Sequence, residues 1–213
     1  MQPFALRKPE LVPLLFIIAA TVFLCGVGIW QLERLHWKNT LIQKMEAAQE
    51  QPAVGNLPAD AAETAALEYR NAVLTGIYME DKRLRFVGRQ TGGYVWMVPL
   101  KLEDSDMVVL VALPWLPSGK EPQLEKGLQT VRGILRPPSP KRLFSPANHE
   151  DLNVWFTEDL PVIERNIGVA VVPLILDTYG KPNLRNDHLG YAITWFSLAI
   201  IGLVMFGLYY RKR

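Results

Sequence analysis

Cysteine is almost missing from this chain. The single thiol, Cys25, has no second cysteine to bridge with and no histidine nearby, which excludes a disulfide framework or a thiolate metal site and leaves a packing role. Histidine is scarce too, with only His36, His149 and His188. No H-E-x-x-H, C-x-x-C, G-x-S-x-G or phosphate-cradling glycine loop occurs, and no serine sits beside an obvious base. A soluble hydrolase or nucleotide enzyme does not fit, so the chain reads as a non-enzyme, a binding or assembly module. The net charge of +2 gives no basic excess of the kind that marks a nucleic-acid partner.

What the chain has is apolar length. "LVPLLFIIAATVFLCGVGIWQL" (11–32) and "LGYAITWFSLAIIGLVMFGLYY" (189–210) carry no charged side chain. Each suffices to cross the ~30 Å hydrocarbon core of a bilayer, which takes about 20 helical residues. Lipid cannot hydrogen-bond an open backbone, so both are expected to be transmembrane helices. Pro13 falls in a first turn, where its missing N–H is harmless. The first run is too long for a cleaved signal peptide and no A-x-A-like site follows it, so it reads as a retained anchor. Arg7 and Lys8 precede it, and "RKR" (211–213) follows the second run. By the positive-inside rule the tails, 1–10 and 211–213, are expected in the cytoplasm, a bias that Lys38, Lys44, Lys181 and Arg185 weaken without reversing. Ten leading residues leave no room for a transit peptide. The expected setting is a bacterial inner (plasma) membrane, crossed twice, with the connecting segment in the periplasm.

Residues 33–65 read as an amphipathic continuation of the first helix, apolar at Leu35, Leu41, Ile42, Met45 and Ala48, followed by an Ala- and Pro-rich surface linker. From 66 to 188 the period shifts. "EYRNAVLTGIYM" (68–79), "RLRFVG" (83–88), "GYVWMVPL" (93–100), "MVVLVALPW" (107–115), "QTVRGILRP" (129–137) and "VAVVPLILD" (169–177) are short β-branched or aromatic runs, most of them parted by turn residues. The Pro-rich stretch 136–153 cannot be a central strand, and His149 within it reads as a solvated loop residue. Asp159 is placed to cap a short helix over Leu160–Asn166 that ends at Gly168. The expected fold is therefore two antiparallel transmembrane α-helices flanking one β-rich periplasmic domain, an antiparallel sheet or small barrel, with a short helix.

Antiparallel spans bring the end of the first and the start of the second to one depth. Trp30, Gln31, Arg34, His36, Trp37 and Lys38 then share a layer with Asn186, His188, Tyr191 and Trp195. The plain reading makes these an aromatic belt, cations reaching for headgroups, and a helix cap at Asn186 or Asp187. A sharper reading uses spacing. His188, Ala192, Trp195, Ala199 and Gly202 form one helical stripe, and Ala19, Phe23, Gly26 and Trp30 form another. If the stripes face each other, His188 turns into the bundle, where an imidazole beside aromatic walls, with Arg34 or Lys38 for propionates, would suit a haem iron. Spacing leaves both readings open.

The same edges carry a family likeness. "GIWQLERLHWK" (28–38) resembles the G-x-W-Q-x-x-R-x-x-x-K signature, and "NDHLGYAITWFSLA" (186–199) the N-x-H-L-x-Y-A-x-T-W segment, of the Surf1/Shy1 cytochrome oxidase assembly proteins. "EYRNAVLTGIY", "GYVWMVPL", "GILRPP" and "FSPANHEDLNVWFTEDL" follow in the expected order between them. The resemblance implies an assembly factor for haem–copper oxidases that binds haem a transiently and aids its entry into subunit I. His188 matches the candidate iron ligand, and Trp30, Gln31, Arg34 and Tyr191 match other motif positions; Trp195 joins them from the stripe. His36 does not carry over. Implied partners are oxidase subunit I, haem a synthase and membrane lipid, with no nucleic acid. The alternative is a cofactor-free chaperone holding an oxidase intermediate through its β domain; a haem-modifying enzyme lacks an acid–base pair. One departure stands out: "VALPWLPSG" (111–119) has Ala-Leu-Pro (112–114) where the family commonly has Asn-Arg-Gly.

Overall fold

The computed structural model describes residues 10–88, 92–141, 143–179 and 186–211. The tail cations Arg7 and Lys8, the linker residues Lys181 and Arg185, and Lys212 and Arg213 lie outside the described residues. The chain divides into two compact units, residues 1–43 with 183–213, and residues 44–182.

The first unit holds two helices long and apolar enough to cross a membrane. Helix α1, Leu11–Glu50, joins the first apolar run and the expected amphipathic continuation into one uninterrupted helix, whose residues beyond Gln43 belong to the second unit. Helix α4 is His188–Tyr209. The helices run antiparallel, because contacts shift in opposite directions along them: Asn39 meets Asn186, Gln31 meets His188, Gly28 lies against Phe196, and Gly202 lies near Ile17. Asp187 occupies the N-cap position of α4, but its side chain makes no capping hydrogen bond.

The second unit is β-rich. Strands β1 (Asn71–Tyr78), β2 (Leu84–Val87), β3 (Gly93–Leu102), β4 (Val108–Ala112), β5 (Leu116–Pro117), β6 (Leu128–Arg136) and β7 (Ile175–Asp177) form one sheet in the order β1-β6-β7-β4-β3-β2, with β5 on β3. Pairing of β1 with β3 closes β1, β6, β7, β4 and β3 into a five-stranded barrel. At that closure Gly76 sits against the carbonyl of Lys101, where a Cβ would have no room. The sheet is not wholly antiparallel: β7 returns parallel to β4 after the chain has passed through helix α3 (Leu160–Ile167). The expected strand 169–177 is correspondingly short, because Val172 and Leu174 serve the core ahead of the paired residues.

Strand alternation divides the core. Leu74, Leu100, Val109, Val111, Leu135 and Leu176 fill the barrel, whereas their neighbours Leu110, Ala112 and Ile175 point outward. That outer face is covered by Ile163 and Ile167 of α3 and by Trp155, so β4 is buried on both sides. Gly168 ends α3 with a positive φ of 72°, and Asp159 stands at its start without the side-chain cap expected of it; the backbone carbonyl of Asp159 accepts from Val162 and Ile163 instead. The expected surface linker is partly core. Val54 bridges to Ala72, Leu57 is buried, and Asp60 caps a short helix α2 (Ala61–Ala65) by accepting from the N–H groups of Ala62 and Glu63.

Candidate functional site

The first unit pairs its helices through small residues and one polar contact. Ala192 and Ala199 are buried on α4, and a Cβ on Gly28 would stand 2.7 Å from the ring of Phe196. The α4 stripe His188–Ala192–Trp195–Ala199–Gly202 is thus the contact face. The α1 stripe drawn from sequence is not. Trp30 and Phe23 are 55% and 65% exposed, Ala19 is exposed, and Gly26 has open space where a side chain would be. The packed face of α1 instead carries Ile17, Thr21, Leu24, Gly28, Gln31 and Leu35, all buried or half-buried. The reason is steric and polar together. Gly28, unlike Gly26, receives Phe196, and this register brings Gln31 to His188.

Nδ1 of His188 lies 2.7 Å from Oε1 of Gln31. An amide oxygen has no proton to give, so the imidazole N–H donates and the carbonyl accepts. Nε2 has no hydrogen-bond partner among the described residues. Further outward, Asn186 Nδ2 donates to Asn39 Oδ1 at 2.8 Å and reaches the carbonyl of Leu35 at 3.5 Å. Asn186 therefore ties the helices together rather than capping α4.

Helical geometry, about 100° per residue, places the other motif residues. Arg34 points about 100° and Trp30 about 140° round α1 from the middle of its packed face, so Arg34 lies to one side and Trp30 faces largely away from α4. Tyr191 lies to the matching side of α4, which in an antiparallel pair is the side of Arg34. Gln31 and His188 meet in the seam; half-buried Trp195 shares the α4 contact stripe with His188, and Tyr191 is 58% exposed beside it. Arg34 stacks its guanidinium 4.0 Å from the centre of the Trp37 ring. His36 lies exposed on α1, away from the seam.

Sequence reading missed a row of exposed aromatics along α1. Phe16, Phe23, Trp30 and Trp37 recur every seventh residue, each more than half exposed. Among the described residues no group of three His, Cys, Asp or Glu side chains could cage a bare metal ion. The donor set suits a group that brings its own equatorial ligands: one imidazole for an axis, aromatic faces for a flat macrocycle, and a cation for acidic substituents. Stacking engages the face of Arg34, whereas carboxylates bind guanidinium through its N–H edge, so the two contacts are compatible.

The second unit contains a buried ionic cluster that the sequence did not announce. Arg136 at the end of β6 makes a two-pronged contact to Glu158, both bonds 2.8 Å, and Nε donates to Asp177 at 3.1 Å. Glu158 also accepts the Ser139 N–H at 2.6 Å, which pins the Pro-rich loop. Burial would raise the Glu158 carboxyl, but the Arg136 and Ser139 hydrogen bonds outweigh it and hold the group below the usual carboxylate range. Asp177 receives a single guanidinium bond, and burial pushes its carboxyl above the usual value. Arg136 is a fixed cation, since its paired carboxylates outweigh the burial that would lower it. Held this way, the three groups join β6, β7 and the Pro-rich loop. A cleft of about 280 Å³ elsewhere in the domain is lined by Asp81, Lys82, Arg83, Asn153 and Asn166.

Fold and site define a class: two apolar helices joined by a Gln–His contact and bracketing a domain with a five-stranded barrel. The sequence pattern of the SURF1 family matches residues 18–200, and the chain belongs to that family. It is 29% identical to the SURF1-like protein of Rickettsia conorii, over 92% of this chain and 91% of that one. It is 30% identical to the SURF1-like protein of Drosophila melanogaster, over 90% and 76%, and 29% identical to Surfeit locus protein 1 of Homo sapiens, over 87% and 72%.

Proposed function

We propose that this protein is an assembly factor for a haem–copper oxidase that binds haem a through Nε2 of His188 and aids its insertion into subunit I. The observation that supports this most is the Gln31–His188 contact, which holds the imidazole at Nδ1 and leaves Nε2 without a hydrogen-bond partner among the described residues. The residues matched to the family signature lie on the same two stretches of α1 and α4 as this contact, and SURF1 proteins are oxidase assembly factors. In this reading the helices cross the bacterial inner membrane with both tails in the cytoplasm, and the barrel domain stands in the periplasm. Haem a is cargo. Trp195 and Tyr191 offer it apolar faces, and Arg34 pairs with a propionate at the polar boundary. A half-buried imidazole suits a cargo that must leave sideways toward subunit I, whereas an enclosed cavity would retain it. Haem a synthase is the natural donor, and lipid covers the site between deliveries.

Co-expression with haem a synthesis, followed by the optical spectrum of the purified protein, tests this. Wild type is expected to carry a haem a spectrum that His188→Ala abolishes. A colourless wild type, or an unaltered spectrum in His188→Ala, would overturn the haem assignment and leave a cofactor-free chaperone acting through the barrel domain.

A further inference from the structure

We propose that Gln31 is a positioning residue for the haem ligand, holding His188 in the one neutral tautomer that can bind iron through Nε2; this rests on the haem reading above. A neutral imidazole has a single N–H. With the Gln31 amide oxygen 2.7 Å from Nδ1, that hydrogen sits on Nδ1 and Nε2 carries the in-plane lone pair. Had the amide nitrogen faced the ring, Nδ1 would accept, the hydrogen would move to Nε2, and the iron-binding position would be blocked. The acceptor therefore selects the competent form before cargo arrives, and it fixes the ring plane in the same contact.

The packing explains why Gln31 can do this. It lies on the packed face of α1 three residues beyond Gly28, whose missing side chain admits Phe196 and sets the register between the helices. Asn186 and Asn39 lock the same register further outward. Gln31 is half-buried between these two contacts, with its oxygen held at Nδ1. The choice of amide over carboxylate also matters. A carboxylate at Nδ1 draws the proton toward itself and makes the imidazole a stronger donor to ferric iron; a neutral acceptor orients the ring with less of this electron push. For cargo that must be released, the weaker donor is the fitting one.

The test uses full-length protein in lipid nanodiscs with Gln31→Leu and Gln31→Glu, read in two ways. Without haem, ¹⁵N NMR of histidine-labelled protein in mildly alkaline buffer, with His188 assigned by its loss in His188→Ala, is expected to show Nδ1 protonated and Nε2 bare. Gln31→Leu is expected to give a mixture of tautomers, and Gln31→Glu to restore the single form. With haem a bound, the reduction potential is expected to fall in Gln31→Glu and rise in Gln31→Leu relative to wild type. If Gln31→Leu does not fold, the Gln31→Glu shift carries the test alone. A wild-type His188 protonated on Nε2, or a tautomer and potential unmoved by both substitutions, would overturn the proposal. Wild type that shows the stated tautomer yet takes up no haem a contradicts the haem reading and removes the role toward iron with it, so the two failures appear in separate measurements.

Discussion

Gln31 and His188, 157 residues apart in sequence, meet at 2.7 Å across two antiparallel helices. That contact is both a packing restraint and a chemical one. It belongs to a ladder that continues inward through Gly28 and Phe196 to Ile17 and Gly202, and outward to Asn39 and Asn186. Changes to the ladder should therefore be felt at the imidazole.

Gly28 and Gly26 give a sharp contrast. A Cβ on Gly28 meets the Phe196 ring, whereas one on Gly26 meets nothing within 4 Å. Gly28→Leu is expected to separate the helices, lower the melting temperature in nanodiscs and reduce haem content; overpacking of this kind costs about 1–3 kcal/mol. Phe196→Ala in the same chain should recover most of the loss. Gly26→Leu should change neither reading. Equal damage from both glycines would restore the sequence-drawn stripe and refute the observed register.

The Arg136–Glu158–Asp177 cluster makes the stability of the barrel domain pH-dependent, with two opposing signs. Glu158 lies below its unfolded value, so its contribution is fully present above the ordinary carboxylate pKa and is lost as pH falls through its depressed folded value. Asp177 lies above its unfolded value, so stability is lost as pH rises toward its folded value and regained on acidification. Glu158→Gln is expected to destabilise at neutral pH by roughly 3 kcal/mol and to flatten the acid loss. Asp177→Asn should steepen that loss. Denaturant melts across the acidic range check both; parallel pH profiles for wild type and Glu158→Gln would contradict the assignment.

Asn153 holds a junction in the domain. It has φ 50°, in the left-handed region, and its side chain accepts from Trp155 Nε1 at 2.9 Å and donates to the carbonyl of Arg83 at 3.0 Å. Trp155 is fully buried in the cluster beneath α3. Asn153→Ala is expected to cost about 2 kcal/mol, from lost hydrogen bonds and a backbone less suited to the turn. Asn153→Gly should cost less than Ala, because it relieves the backbone while losing the same bonds. Urea melts rank the pair, and a Gly variant weaker than Ala would remove the backbone part of the argument.

Leu143 and Phe144, in the Pro-rich loop, are 90% and 91% exposed. The double change Leu143→Ser, Phe144→Ser is therefore expected to leave the melting temperature of the domain within the effect of about 0.5 kcal/mol usual for surface positions. A large loss would show that the tip packs in solution.

How far sequence carried depends on which physical signal each feature leaves. The apolar helices were plain, because uninterrupted hydrophobic length has few other meanings. Six of the seven strands lay within the runs read as strands, or overran them by a residue or two; β5 fell just beyond the run that ends at Trp115, in a stretch read as a turn. The closure of β1 on β3 and the parallel return of β7 rest on pairings between distant segments, which no local pattern encodes. The Val54–Leu57 segment read as a surface linker because alanine and proline dominate it, and only its pairing with Ala72 and the packing of Val54 and Leu57 into the barrel core explain why two apolar side chains among them are buried. Around the candidate site, period drew a stripe through Ala19, Phe23, Gly26 and Trp30 on α1, whereas the packed face runs through Ile17, Thr21, Leu24, Gly28 and Gln31. What decides between them is the missing side chain of Gly28 and the one amide that reaches His188, features of a particular pair of faces. Arg136, Glu158 and Asp177 looked like ordinary charges, since burial of a charge is invisible until its partners are seen.

The central claim is that His188 binds the iron of haem a, and the most direct measurement is pulsed electron paramagnetic resonance of the ferric haem-loaded protein with ¹⁵N-labelled histidine. The expected result is hyperfine coupling from one histidine nitrogen that vanishes in His188→Ala and persists in His36→Ala and His149→Ala. Coupling that survives loss of His188, or that disappears with either of the other histidines, would contradict it.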